Sequence, residues 1–547
     1  MSTPGGAAAD QSAPGAGHAV SSRAPDPVDL RLAAPALCGW AAAYWASALP
    51  TAGAWPRALS AGGALVLLAI ALVPSTRRFN PPRHRRDPRP GAQVPGGGAI
   101  GSLSATVMVC ALAASAVLVV SAAQSWARSR DPLTAAAVQE RTVTLTGAVT
   151  REPRVVAGPG STLILTEIAV DSVETEPSAL SATVLGGQEW LEAPMGSRVQ
   201  VRARLEATEP GERAGVIIPR SATVRVLEGP TGVLGAVTTL RRGLVEAVGP
   251  EVGAGHSGAP WPPGSRALVP GVALGDDHAL PTRVRTDMRA VSMTHLTAVS
   301  GQHVVIVLGL ALTVLGPVPR RWRALAGALV LMALVALVRP GGSVLRAAAM
   351  GGVMLTGVAL GRRSASLPAL GASVLLLLLV DPWQAHDYGF ALSVAATAGI
   401  LLTARPLEVW LSRRLPRWLA AALALPVAAQ AACAPLLVLL QPTVGLWALP
   451  ANMLAAPAVP VATVCGLLAA LLAPVWEGGA RLVAWPALVA CAWLVQVARL
   501  FASLPGAALP WPSGVGGAAL LAGCEAAAVA LAAGWGRWRS RTGPAGA

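Results

Sequence analysis

The sequence contains no lysine: all 42 basic side chains among its 547 residues are arginines. A G-x-x-x-x-G-K-[ST] phosphate loop is therefore absent, and any work drawn from ATP has to come from a partner. Charge of either sign is scarce. Only 13% of residues are charged, where soluble domains carry about 25%. With 54% hydrophobic residues and a mean hydropathy of +0.57, an ordinary soluble enzyme is excluded. Cysteines number six (Cys38, Cys110, Cys433, Cys465, Cys491, Cys524), all in or beside apolar runs, with no C-x-x-C and no metal spacing. They read as small buried residues and not as disulfides or ligands. A cleavable signal is not expected, because the first apolar run begins near Leu32 and no basic segment opens the chain.

What the chain has instead is apolar runs of up to about 20 residues, the length that crosses a bilayer. The expected architecture is a polytopic α-helical membrane protein of about twelve spans with one inserted small β-barrel. Residues 1–28, rich in Ala, Gly, Ser and Pro, are expected to be disordered. Three spans fill 29–124 (roughly 32–50, 58–74 and 100–123). Nine more fill 266–535: about 292–316, 322–338, 343–361, 367–380, 388–404, 419–440, 450–474, 482–500 and 517–535. The Pro-rich stretch 442–460 is the place where a re-entrant segment would replace a span.

The formal charge of +15 suggests nucleic acid, but the arginines cluster in short loops between apolar runs, the pattern that sets membrane orientation. Six lie between Arg77 and Arg89, marking that loop as cytoplasmic. The loops at Arg320–Arg323, Arg362–Arg363, Arg405–Arg417 and Arg481, and the basic tail 536–547, fall on the same side in a twelve-span count. Both ends are then expected in the cytoplasm of a multi-pass cell-membrane protein, with the insert outside.

That insert, 140–230, changes character to short alternating runs (TVTLTGAVT, STLILTEIAV, SATVLG, RVQVRARLEA, ATVRVLE) separated by Gly and Pro. Five short strands suit an OB-like barrel. Between 140 and 228 there are nine Arg against twelve acids, and Trp190 is the only aromatic. Single-strand binders combine a basic groove with stacking aromatics, so a DNA role rests on Arg198, Arg202 and Arg204, whose even spacing places them on one strand face. A solvated face explains the same spacing. Residues 231–265 are read as an amphipathic helix, with Arg241, Arg242 and Glu246 on its polar side, followed by a loop. Asp276, Asp277 and His278 suggest a metal, but no third well-spaced ligand follows, so a loop-capping role and no metal or cofactor are expected.

The densest polar knot within an apolar run is His295, Ser300, Gly301, Gln302 and His303. A polar group in hydrocarbon costs several kcal/mol when unsatisfied, so such residues face a wet cavity or bundle interior and point to function. Ser300 and His303, three apart, share a face if the helix continues through them. Arg346, Asp381, Gln430 and Asn452 are the other intramembrane polar residues. Packing readings stand beside these: a snorkelling Arg346, a helix-end Asp381, and Gln430 and Asn452 as interhelical hydrogen-bond partners. His386, Asp387 and Tyr388 fall in the loop after Asp381.

The run MTHLTAVSGQHVVIVLGL from Met293 resembles the H-L-x-A-x-S-G-x-H signature of the ComEC family of competence proteins. Other pieces follow in the family's order: LVPGVALGDDHALP from Leu268, SVLRAAAM from Ser343, Asp381-Pro382 with GFALS from Gly389, and PANMLAAP from Pro450. The resemblance covers about 28–535. It implies a channel that passes single-stranded DNA across the cytoplasmic membrane during natural transformation, an OB-like domain, and a DNA receptor and a cytoplasmic ATPase or helicase as partners. Longer family members carry a C-terminal metallo-β-lactamase-like domain. No H-x-H-x-D-H cluster occurs in this sequence, so nuclease activity is not carried over and a separate nuclease is expected. Two other readings stay open: a transporter or flippase for a small or lipid substrate, and a membrane hydrolase with Ser300 as nucleophile and His303 as base.

Overall fold

The computed structural model describes residues 30–49, 51–77, 97–158, 161–213, 216–218, 223–250, 261–297, 299–339, 342–361 and 366–542. The expected disorder of 1–28 and most of the arginine-rich loop 75–98 lie outside these residues.

Helices dominate. Three open the chain: α1 (Ala33–Ser47), α2 (Thr51–Arg77) and α3 (Gly97–Arg130), followed by the short α4 (Pro132–Val138). Nine strand segments come next: β1 (Thr142–Val149), β2 (Arg154–Gly158), β3 (Ser161–Val173), β4 (Glu176–Pro177), β5 (Ser181–Gly186), β6 (Arg198–Arg204), β7 (Glu206–Ala207), β8 (Val216–Ile218) and β9 (Thr223–Glu228). The remaining helices are α5 (Gly232–Val248), α6 (Ser265–Leu274), α7 (Thr282–Ala290), α8 (Gly301–Val314), α9 (Arg320–Val338), α10 (Gly342–Ala359), α11 (Ser366–Val380), α12 (Tyr388–Gly399), α13 (Arg405–Leu411), α14 (Arg417–Leu440), α15 (Ala448–Ala455), α16 (Ala458–Leu472), α17 (Glu477–Ala502) and α18 (Gly514–Thr542). A π-turn, Ile400–Ala404, joins α12 to α13. A two-stranded ribbon, β10 (Thr443–Val444) with β11 (Leu509–Pro510), ties the loop after α14 to the loop before α18.

Among the described residues seven helical stretches are long and apolar enough to cross a membrane: Ser104–Arg130, Arg320–Val338, Gly342–Ala359, Tyr388–Leu411, Arg417–Leu440, Glu477–Ala502 and Gly514–Leu531. The pair α15–α16, bent by 47°, makes an eighth if counted as one broken span. Its break falls inside the Pro-rich stretch. Shorter helices occupy the other expected spans: α1, Ala54–Leu68 of α2, α8 and Leu367–Val380 of α11.

One expectation needs correction. The run 292–316 is not one helix; Thr294–Leu296 is 3-10, Ser300 is extended, and the α-helix begins only at Gly301. Helix α18 runs on through 536 to Thr542, so the first residues of the basic tail are helical. Helix α5 touches the insert near its start, where a Cβ on Gly196 would lie 3.0 Å from Leu234. It packs on α16 and α17, and Gly243 comes so near Ala473 that an added Cβ would sit 2.6 Å from it. Arg241 is on this buried side, while Arg242 is exposed.

The helices bury two main apolar clusters. The larger joins α5–α10 to α15–α17; the other gathers α1, α3, α11 and α12 around Phe390. Helix α10 touches α8, α9, α11 and α12, so its side chains sit where the two clusters meet. Small residues allow such closeness: a Cβ on Gly371 of α11 would lie 2.8 Å from the Leu32 carbonyl.

In the insert, alternation has its expected effect. Strand β1 buries every second residue from Val143 to Val149. It pairs antiparallel with β3 on one side and β6 on the other; β3 pairs antiparallel with β5, and β5 parallel with β8. Strand β8 pairs antiparallel with β7, which continues β6 after Leu205. The pairings thus return to the strand they started from. Trp190 plugs the interior: it is fully buried, and a Cβ on Gly186 would lie 2.1 Å from its ring. The insert's single aromatic is therefore core and presents no face for stacking.

Candidate functional site

The polar knot is a helix start inside the protein. Ser300 has extended backbone (φ −115°, ψ 175°) and is the N-cap of α8. Serine is a strong cap because its oxygen satisfies an amide that the first turn leaves orphaned. The Ser300 hydroxyl accepts from the His303 backbone, and the Ser300 N–H donates to His303 Nδ1 at 3.0 Å. This is a capping box with histidine in the place usually held by Glu or Gln. The two residues therefore do not share a helix face; their spacing of three is the cap itself. With Nδ1 accepting, the neutral ring carries its proton on Nε2, which is buried and finds no hydrogen-bond partner among the described residues. The Ser300 Oγ also lies 3.0 Å from His303 Nδ1, and among the described residues no third side chain bonds to the imidazole.

Two further segments close on this start. At the head of α10 the Ser343 hydroxyl donates to the Val299 carbonyl (3.1 Å), and Gly301 faces Ala347. One turn on, Arg346 is buried and pairs with Asp387 at 3.2 Å. Asp387 in turn caps α12, its Oδ1 accepting from the Gly389 N–H at 2.7 Å. The S-x-x-R-A segment, the knot and the approach to G-F-A-L-S thus meet in one place, held together by α10. Charge in an apolar bundle is costly unless paired, and here the partner lies 41 residues away in sequence.

The other expected residues divide. Asn452 reaches the turn leading into the knot, its amide donating to the Ala448 carbonyl at 2.8 Å and lying 3.5 Å from that of Val291. His295 is exposed, 3.1 Å from the Ser292 carbonyl, and Gln302 is exposed on the first turn of α8. Gln430 is half-buried in α14, which packs chiefly on α12, α13 and α18. Asp381 belongs to a different contact. It caps the 3-10 helix Pro382–His386 and pairs with Arg213 of the β insert at 2.9 Å. Arg128, at the end of α3, donates to the Arg213 carbonyl (2.7 Å) and lies over the Trp383 ring at 3.5 Å. His386 stacks on Tyr44, 4.1 Å between centroids, beside Gly211 of the insert. Arg198, Arg202 and Arg204 are exposed on one face of β6, with Arg198 paired to Asp171 at 3.5 Å and Arg204 to Glu140.

A second buried charge network holds the insert from another side. Arg241 pairs with Asp276 at 3.3 Å and donates to the Leu274 and Leu337 carbonyls, at 2.7 and 3.3 Å. Arg339 pairs with Glu152 of the insert and donates to Thr238 at 3.0 Å. Asp277 takes Arg285 at 2.7 Å, and Asp276 and His278 bond to each other at 2.5 Å. Sequence reasoning had no signal for these partners except the buried spacing of Arg241 relative to Val237, Leu244 and Val248.

Burial alone pushes the Asp276 carboxyl up, but the His278 bond and the Arg241 charge outweigh it and hold the group at about 2. Burial pushes His278 down, and the bond to Asp276 outweighs that and raises it above its ordinary value. A lowered carboxyl contributes stability that is lost as pH falls through about 2; a raised imidazole contributes stability that is lost as pH rises through its folded value. The pair is thus fully effective between roughly pH 4 and 6.5, the ordinary values of the two groups. Melting temperature should fall as pH is raised from 6 towards 9, and His278→Gln should flatten that slope. An equal slope in both proteins would remove the pair from the account.

Residues 272–538 match the family described as Competence protein. The ComE operon protein 3 of Bacillus subtilis (strain 168) is 33% identical over 144 residues, 26% of this chain but only 19% of that relative's length. No solved structure matches the chain.

Proposed function

Because this chain belongs to the ComEC type of the competence-protein family, we propose that it carries single-stranded DNA across the cytoplasmic membrane in natural transformation. The observation that carries the reading is the meeting of a capped helix start, Ser343 and buried Arg346 inside apolar helices. DNA has a charge on every nucleotide, and a path through a bilayer has to offer it cationic or hydrogen-bonding lining. The start of α8 supplies the positive end of a helix dipole, and Arg346 supplies a full charge. Half-helices that begin at membrane depth are how transport proteins bring backbone dipoles to a substrate.

We read the topology as twelve spans, the eight long ones together with α1, α2, α8 and α11, with both ends cytoplasmic and the β insert outside. The arginine-rich loops favour that orientation. The insert's four antiparallel pairings and one parallel pairing support reading it as an OB-like barrel. Its arginine face on β6 is a weak DNA contact at most, since two of its three arginines already hold carboxylates. A DNA receptor outside, an ATPase or helicase inside, and a separate nuclease complete the assembly in this reading. Ser300 and His303 have a structural task here and no catalytic one.

The test is uptake of labelled DNA in a deletion strain complemented by wild type or by His303→Ala. Deletion should leave DNA bound outside and block entry, wild type should restore entry, and His303→Ala, which opens the cap of α8, should restore less than about a tenth of it. Unchanged uptake in a transformable deletion strain would turn the account to a small-substrate or lipid transporter.

A further inference from the structure

The Arg346 side chain is 5% exposed, yet its one hydrogen bond to a described residue is the single contact with Asp387. Its Nε is buried without a partner among the described residues. Glycines flank the guanidinium: a Cβ on Gly342 would lie 3.0 Å from Nη1, and one on Gly389 would lie 3.2 Å from Nη2. The planar fork is thus flanked by glycines, and most of its donors meet no acceptor among the described residues. Its counter-ion is held loosely by comparison. Asp387 is 45% exposed. It keeps one oxygen on the Gly389 amide and lends the other to Arg346. Releasing that oxygen to water leaves α12 capped and buries no charge.

We infer that Arg346 is a phosphodiester subsite and that Asp387 is its resident stand-in, displaced when a backbone phosphate of the strand arrives. The inference rests on the DNA-path reading. A phosphodiester presents two oxygens to a guanidinium fork, where the carboxylate now supplies one. While empty, the subsite is neutralised by Asp387, so the buried cation carries little cost and does not attract small anions. Once occupied, the phosphate takes over that neutralisation and the carboxylate faces water. Asp387 is then a positioning residue that sets how tightly the strand is held.

The test uses the full chain in nanodiscs and a fluorescent oligothymidylate, read by anisotropy over a range of salt. Asp387→Asn keeps a good cap but removes the competing charge, so binding should tighten by about tenfold. Arg346→Leu should weaken binding and lower the slope of log affinity against log salt by about 0.7, one phosphate's share for a single strand. Inorganic phosphate should displace the probe only at far higher concentration. Unchanged or weaker binding in Asp387→Asn, or an unchanged salt slope in Arg346→Leu, overturns the stand-in. Equal potency of inorganic phosphate would make this a free-phosphate site and overturn the assignment. These outcomes are separate from the uptake experiment: a deletion strain that fails to import DNA would still support the path even if Asp387 proved inert.

Discussion

Cells whose only copy carries Arg346→Leu should transform at least about a hundredfold less often, with the protein present in the membrane in normal amount. The size follows from the charge. A strand passing an apolar bundle without this cation loses a charge-assisted hydrogen bond and a desolvated ion pair, about 3 kcal/mol or more, and a factor of ten corresponds to about 1.4 kcal/mol. The normal amount follows from Asp387, which is 45% exposed and is hydrated when its partner goes; leucine meanwhile suits the apolar surroundings. Transformant counts beside an immunoblot of the membrane fraction decide the matter. Normal transformation would take Arg346 off the path, and loss of the protein from the membrane would make its role one of assembly.

Arg241→Met should cost about 3–5 kcal/mol of stability, because it removes one member of a buried network and leaves the others in place. Asp276 would lose its cation, and the carbonyls of Leu274 and Leu337, near the ends of α6 and α9, would lose their donor. Arg242→Met, one residue on and exposed, should shift stability by no more than about 0.5 kcal/mol. Thermal unfolding in detergent separates the two, and Arg241→Met combined with Asp276→Asn should recover part of the loss. A melting temperature for Arg241→Met equal to that of wild type would mean that the network contributes nothing to stability.

Sequence pattern reached as far as local rules reach. Alternation exposes the strands of the insert, because burial repeats every second residue. It says nothing of which strands pair, so the parallel pairing of β5 with β8 was not legible. The polar knot stood out against its apolar background, and a serine followed by a helix is a cap signal. The apolar residues on both sides hid it by extending the apparent helix back to 292. On α5 the polar residues Arg241, Arg242 and Glu246 look like one face, but adjacent helical residues are about 100° apart and the boundary of the buried face runs between the two arginines. Arg346 was legible as a costly charge in an apolar run. Its partner was not, since no local rule links α10 to a cap 41 residues further on. Asp381, the acid next to a proline at a run's end, was the more conspicuous of the two and belongs to the insert's contact.

The segment from Asp381 to Asp387 is held at both ends by arginines, Arg213 from the insert and Arg346 from α10, with the 3-10 helix Pro382–His386 between them. Any coupling between its two ends has to act equally in both directions. If a phosphate that takes Asp387 off Arg346 loosens the hold of Asp381 on Arg213 by some factor, loosening the insert favours the phosphate by the same factor. The insert's contact and the Arg346 contact then share one equilibrium, and each can be tuned by substitutions made only in the other.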